Sequence, residues 1–262
     1  MYQAELKITK QAAKEAGKFL KKEFFTWQKR NIEYKIHNER VTWCDKKAEQ
    51  IIFKLLKKKF PKYAILSEES GRQDRDSEYT WIIDPLDGTT NFTIHHSMFA
   101  VSIALAYKNE IVLGVIYNPI LDELYYASQG SGAFKNNKRL KLSKINTLKK
   151  SLVTYCHGMG MTNTKKAYKV YERFHGISHH CRHFGVTSLE LSMLASGKTE
   201  AHLVPGAKLW DVAAGIIIVR EAGGLVTDWQ NKNWTIKSKT LVAAKKNIHT
   251  ACLKELKKIK LA

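Results

Sequence analysis

The sequence predicts a mixed α+β fold, and three stretches carry that prediction. Residues 3–28 place Ala12, Ala13, Ala16, Phe19 and Leu20 at helical spacing, the mark of one long amphipathic helix. Residues 98–107 and 111–117 alternate apolar and small side chains on either side of Lys108-Asn109-Glu110, a β-hairpin signal. From about residue 150 onward, short strand patterns and helical patterns take turns.

The elements follow in order. After the first helix a loop is expected through Glu39-Arg40-Val41-Thr42. Asp45 then opens a second helix, with Ala48, Ile51, Ile52, Leu55 and Leu56 on one face and an end before Pro61. A short strand at 63–66 delivers Ser67-Glu68-Glu69-Ser70 at its exit, and the polar residues 71–78 are expected to be mobile. Trp81-Ile82-Ile83 reads as the end of a buried strand, which Pro85 stops by biasing Asp84 toward an extended backbone. Beyond the hairpin come a strand at 123–127 and a turn at 130–133, whose Gly-x-Gly lacks the third glycine and following helix of a nucleotide loop. In the second half, strands are expected at 153–155, 182–184, 200–204, 225–228 and 240–244. Helices are expected at 165–175, 188–195, 211–221 and 248–259, with Gly223-Gly224 closing the third of these. No repeat or low-complexity linker divides the chain, so residues 1–262 read as one domain with halves of about 1–150 and 151–262.

Composition narrows the class. No apolar run approaches the ~20 residues of a membrane span. The polar, helix-patterned opening has no leader signature, and Cys44, Cys156, Cys181 and Cys252 lie far apart without a Cys-x-x-Cys pair, so a cytoplasmic, disulfide-free protein is expected. Lys and Arg number 44 against 24 Asp and Glu, a formal charge of +20, which suits anionic substrates or non-specific nucleic-acid contact. The surplus is lysine-rich and dispersed (Lys57-Lys58-Lys59, Lys149-Lys150, Lys245-Lys246), the pattern of a solvated surface rather than a recognition stripe. His175, His179, His180, Cys181 and His183 cluster in sequence, but their spacing matches no closed tetrahedral zinc pattern, so they read as surface residues.

The chemistry concentrates in Trp81-Ile82-Ile83-Asp84-Pro85-Leu86-Asp87-Gly88-Thr89-Thr90-Asn91-Phe92. Gly88 permits a tight turn, Thr89 or Thr90 can cap a following helical turn, and free N–H groups at a helix start bind phosphate. Asp84 and Asp87 would repel that phosphate unless cations lay between them, and hard oxygen ligands with water suit Mg²⁺. An aspartyl-phosphate mechanism, which needs two Asp residues separated by one position, lacks its second carboxylate because position 85 is proline. Farther on, Leu209-Trp210-Asp211-Val212-Ala213-Ala214-Gly215 supplies another acid at a helix start.

Taken together, Ser-Glu-Glu-Ser, the Asp84–Asp87 stretch, and Trp-Asp-Val-Ala-Ala-Gly followed by Glu-Ala-Gly-Gly closely resemble the inositol monophosphatase family, in the same order from about residue 3 to 260. The resemblance implies a layered α-β-α-β-α sandwich, usually a homodimer, and a Mg²⁺-dependent, lithium-sensitive phosphatase. It implies that Glu68, Asp84 and the Leu86 carbonyl hold one Mg²⁺, that Asp84, Asp87 and Asp211 hold a second, and that Glu68 helps a weaker third. Thr89, with Asp45 behind it and Glu68 beside it, would position and deprotonate the attacking water. The Gly88 and Thr89 N–H groups would bind phosphate, and Gly185-Val186-Thr187 would form the substrate-contacting turn.

Three departures bear on the substrate. Glu39 stands where the family often has Asp, bulky Trp43 precedes Asp45, and Val204 falls where the inositol enzymes place a glutamate that accepts hydrogen bonds from the sugar ring. The expected substrate is a small phosphorylated alcohol, myo-inositol monophosphate first, with histidinol phosphate, fructose 1,6-bisphosphate and 3′-phosphoadenosine 5′-phosphate as alternatives. The other class of function is an RNA-binding or transcription-complex role, known among bacterial relatives of the family.

Overall fold

The computed structural model describes residues 2–28, 32–34, 40–158 and 160–259. Helix α1 (Gln3–Thr26) buries Ala12, Ala13, Ala16 and Leu20 along one stripe. The segment before the second helix is not all loop. Strand β1 (Ile32–Tyr34) pairs antiparallel with β2 (Arg40–Thr42), while Glu39 lies outside the described residues. Helix α2 (Trp43–Lys59) starts two residues earlier than expected because Thr42 caps it: the Thr42 hydroxyl accepts the Cys44 N–H, and the Asp45 carboxylate accepts the Thr42 N–H, a reciprocal box that fixes both side chains.

Strand β3 (Ala64–Ser67) is flanked by β4 (Gly71–Gln73), so the first residues of the polar segment expected to be mobile form a sheet edge. Strand β5 (Tyr79–Asp87) runs parallel to β3 and does not stop at Pro85. Its register against β6 (Ala100–Tyr107) shifts instead, with Asp84 opposite Ser102 and Asp87 opposite Ala100. A residue without an N–H is tolerated at such an irregularity, and the shift turns the two carboxylates out of the regular ladder. Helix α3 (Thr89–Thr93) follows at once. The expected hairpin is β6 with β7 (Glu110–Asn118), turned by Lys108 and Asn109 at positive φ. Strands β8 (Glu123–Ser128), β9 (Ala133–Lys135) and β10 (Lys138–Arg139) complete an eight-stranded sheet in the order β10-β9-β8-β7-β6-β5-β3-β4.

The second half builds a five-stranded sheet from β11 (Leu152–Tyr155), β12 (His180–Arg182), β13 (Ala201–Val204), β14 (Leu225–Thr227) and β15 (Leu241–Ala244), in the order β12-β11-β13-β15-β14. Strand β12 comes two residues earlier than its pattern predicts, which leaves 183–186 as a turn. Four helices belong to this half: α4 (Gly160–His175), α5 (Thr187–Ala195), α6 (Leu209–Glu221) and α7 (Lys246–Leu256). Helices α1 and α2 cover the outer face of the large sheet, α5 and α6 fill the space between the sheets, and α4 and α7 cover the small one. The result is the α-β-α-β-α layering.

Side-chain size decides how close the middle layer lies. The outer face of the large sheet carries Trp81, Ile83, Ile103 and Leu105, whereas the inner face mixes Ala100, Ala104, Ala106 and Ala127 with Ile82, Ile116 and Tyr125, with β6 carrying its smallest side chains. Gly114 belongs to that inner face, and a Cβ there would meet the Ala214 carbonyl oxygen at 2.5 Å. Helix α6, buried on every side from Val212 to Val219, therefore sits directly on the sheet, and its first turn reaches the end of β5. Among the described residues no helix is long and apolar enough to cross a membrane.

Candidate metal and phosphate site

Parallel pairing of β3 and β5 brings the first two carboxylates together. Ser67 is in register with Ile83, and the Glu68 N–H donates to the Ile83 carbonyl at 3.1 Å, so Glu68 and Asp84 leave adjacent strands side by side. Asp211, in the first turn of α6 rather than at its cap, comes in from the middle layer. Ligand oxygens of Glu68, Asp84 and Asp211 lie within 4.8 Å of one another, and among the described residues no other three metal-ligand groups are so gathered. Asp84 Oδ1 accepts the Leu86 N–H at 3.0 Å. Asp87 stands next to this group, with Oδ2 accepting the Ser188 N–H of α5 at 2.7 Å.

The turn after Asp87 depends on Gly88. Its φ is +90°, and a Cβ would meet Val186 Cγ2 at 2.7 Å and the Met98 carbonyl at 3.2 Å. Neither Thr89 nor Thr90 caps α3, because Gly88 occupies the cap position and no side chain closes it. Thr89 instead faces two acceptors with one hydroxyl hydrogen, its Oγ1 lying 2.9 Å from Asp45 Oδ1 and 3.0 Å from the Leu86 carbonyl. Asp45 Oδ2 is occupied by the Thr42 N–H and hydroxyl, at 2.8 and 2.7 Å.

These groups open into a cavity of about 390 Å³. Of the residues expected from sequence, Glu68, Asp84, Leu86, Asp87, Gly88, Thr89, Gly185, Thr187 and Asp211 line it, while Asp45 lies buried behind Thr89. Val186 turns inward against Gly88. Val204 is a correction to the sequence reading: it is 2% exposed and packs, on the face of β13 toward α5 and α6, in the core rather than on the cavity wall. Asn91 Nδ2 donates to the Phe184 carbonyl at 2.9 Å and Glu190 Oε1 accepts the Phe184 N–H at 3.0 Å, which clamps the 183–186 turn from both sides.

Sequence reasoning missed Arg40, Cys156, His157 and Lys208, all on the cavity wall. Lys208 Nζ is 3.8 Å from Glu68 Oε1, and its signal was its place three residues before Asp211. Arg40 donates to Thr93 Oγ1 at 2.8 Å, which ties β2 to α3. Burial pushes the Cys156 thiol up to about 12, so it is no nucleophile at neutral pH. Of the histidine-rich segment, His175, His179 and His180 are exposed, Cys181 is buried and His183 reaches the cavity.

The model of the inositol monophosphatase family matches residues 1–261. The chain belongs to the inositol monophosphatase family. It is 38% identical to an inositol-1-monophosphatase of Mesorhizobium japonicum over 97% of both chains. It is also 36% identical to the Nus factor SuhB of Pasteurella multocida, covering 91% of this chain and 90% of that one. The crystal structure of the extragenic suppressor protein suhB from Bartonella henselae superimposes with a TM-score of 0.91 at 37% identity, covering 98% of this chain and 99% of that one.

The donor set fits the divalent metal on which this family of phosphatases depends: three carboxylates and a nearby carbonyl, all hard oxygens. Burial, followed by the charges of Glu68, Asp87 and Asp211, raises the Asp84 carboxyl well above the usual carboxylate range. Burial lifts Asp87 to about 7 and Asp45 to about 6 against the pull of their hydrogen bonds. A folded-state pKa above the unfolded one means the native protein holds these protons more tightly. That stabilisation is complete below about pH 4 and is lost as pH rises through about 6 to 7. Asp84→Asn keeps the hydrogen bond to Leu86 and removes the charge. In metal-free buffer its melting temperature is expected to exceed that of the wild type by an increment that grows from pH 5 to pH 8, and Mg²⁺ should close the gap at pH 8. A gap that is absent, or that ignores pH, contradicts this electrostatic picture.

Proposed function

We propose that the chain is a Mg²⁺-dependent phosphomonoesterase acting on a small phosphorylated alcohol, with myo-inositol monophosphate as the first substrate to test. The observation that carries this reading is the convergence of Glu68, Asp84 and Asp211 within 4.8 Å in the cavity that Thr89 lines, with Asp45 behind it. Glu68, Asp84 and the Leu86 carbonyl would hold one ion, Asp84, Asp87 and Asp211 a second, and Glu68 would help a weaker third. Mg²⁺ bound there supplies charge neutralisation for the phosphate and acidifies water.

The chain's own residues do the remainder. The Gly88 and Thr89 N–H groups hold phosphate oxygens at the start of α3. Thr89 Oγ1 orients the attacking water and donates to Asp45 Oδ1; Asp45, titrating at about 6, is ionised at neutral pH and can draw the proton, with Glu68 close by. Attack on phosphorus breaks the P–O bond to the alcohol, whose oxygen takes a proton from water as it leaves past Gly185 and Thr187; Val186, expected in this turn, is buried under Gly88 instead. The homodimer, lithium sensitivity and cytoplasmic setting implied by the family likeness form part of this proposal.

Thr89→Ala is expected to lower kcat by about 10²–10³ while KM and the Mg²⁺ requirement move only a few-fold, because a positioned proton acceptor is lost and the metal ligands are not. The assay is phosphate release from inositol 1-phosphate, glycerol 2-phosphate, histidinol phosphate, fructose 1,6-bisphosphate and 3′-phosphoadenosine 5′-phosphate. Turnover within threefold of wild type removes Thr89 from the mechanism, and no Mg²⁺-dependent release from any ester removes the reading.

A second reading is carried by the +20 charge and by relatives named Nus factor SuhB: binding to RNA or another acidic partner. Dispersed lysines support only weak contact that falls steeply with salt. A mobility-shift assay at physiological salt should show no sequence-selective RNA binding below micromolar concentration, and its appearance would favour the second reading.

A further inference from the structure

Lys208 stands at the cap position of α6, where a lysine brings no local benefit. Helix starts favour Ser, Thr, Asp or Asn and disfavour a positive charge, because the free N–H groups there are the positive end of the helix dipole. The Lys208 side chain makes no capping hydrogen bond. What it meets lies in the cavity instead. Its Nζ is 3.8 Å from Glu68 Oε1 and sits over the Trp210 ring, 5.4 Å from the ring centre, within the reach of a cation–π contact. The backbone is pinned on both sides of it. The Ala207 N–H donates to the Lys239 carbonyl at 2.8 Å, and α6 is buried from Val212 to Val219. The ammonium is therefore carried on the same first turn as Asp211 and delivered to the edge of the carboxylate group.

We infer that Lys208 is a built-in counter-ion of Glu68 that competes with divalent metal for that carboxylate, so that the chain holds two ions tightly and the weaker third is kept out. The inference rests on the metal reading proposed above and sets its number of ions. In that reading the first ion has Asp84 and the Leu86 carbonyl besides Glu68, and the second has three aspartates. The third draws on Glu68 alone among them, so a positive charge fixed beside Glu68 weakens that ion most. Lys208 and Glu68 are 19% and 17% exposed, and charges so far out of water are screened little by salt. A lysine that contradicts its helix position and satisfies a site carboxylate is placed by the site, not by the helix.

The test counts Mn²⁺ bound to metal-free wild type, Lys208→Gln and Lys208→Arg, using electron paramagnetic resonance of the free ion. Phosphate release from the esters named above is recorded beside it. Wild type and Lys208→Arg should hold two ions over a range of Mn²⁺ in which Lys208→Gln holds three. Loss of the charge should lower the dissociation constant of the weakest ion about tenfold or more. Lys208→Met, of similar length and uncharged, takes the place of Lys208→Gln if that variant does not fold. Equal counts and affinities in wild type and Lys208→Gln overturn the counter-ion, as does Lys208→Arg behaving like Lys208→Gln. A Lys208→Gln that weakens every ion alike overturns it too, because the lysine then only props the start of α6. These outcomes leave the phosphatase standing wherever an ester is still hydrolysed. The expected counts without hydrolysis of any ester uphold the counter-ion and fail the phosphatase reading, and no Mn²⁺ bound by any of the proteins overturns both.

Discussion

Three carboxylates gathered within 4.8 Å, in a place where little water reaches Asp84, repel one another, and much of the architecture keeps them there regardless. At an effective dielectric of about 20, an ionised pair at that distance is unfavourable by on the order of 3 kcal/mol. Two features oppose the repulsion. The parallel ladder of β3 and β5 places Glu68 and Asp84 side by side through backbone hydrogen bonds that neither side chain can relax. Helix α6 sits close to the sheet over Gly114 and the alanines of β6, which holds the backbone of Asp211 in place. Lys208, 3.8 Å from Glu68, supplies part of the missing positive charge. The carboxylate cluster that could hold a metal is thus fixed by the backbone of two strands and one helix.

The same frame divides the labour between the halves of the chain and then ties them. In the proposed reading the phosphate and metal groups come from β3, β5 and α3 together with Asp211 of α6, while the wall that would meet the alcohol comes from β11, β12 and the turn before α5. Asp87 crosses between them through the Ser188 N–H, and Asn91 through the Phe184 carbonyl. Both links start within a few residues of the carboxylates, so they fix the 183–188 segment against that end of the cavity.

Residues whose role depends on local order are readable from sequence. Asp84, Asp87, Gly88 and Thr89 form one stretch, and a third acid, Asp211, comes with a Trp-Asp motif, so motif and strand-exit reasoning finds them together. Residues whose role depends on which face of an element they occupy are not readable in that way. Val186 and Val204 both look like cavity positions in sequence, yet one turns under Gly88 and the other lies on the core face of β13. Pro85 reads as a stop because proline ends ladders, but a register shift inside the strand accommodates it. Thr42 escapes notice because a capping box is a small signal next to a run of lysines. The pair of Lys208 and Glu68 joins residues from separate elements that no window of sequence brings together.

Everything proposed for the cavity depends on whether the repelling carboxylates are a cation site. Crystals of the protein soaked in Mn²⁺ and recorded at the manganese absorption edge test that directly, with Asp211→Asn as the control. The expected result is anomalous density coordinated by Glu68, Asp84 and Asp211, with the Leu86 carbonyl at one ion, and a marked loss of that density in Asp211→Asn. Carboxylates that stay in place with no anomalous density at saturating Mn²⁺, or density only elsewhere on the molecule, would contradict it.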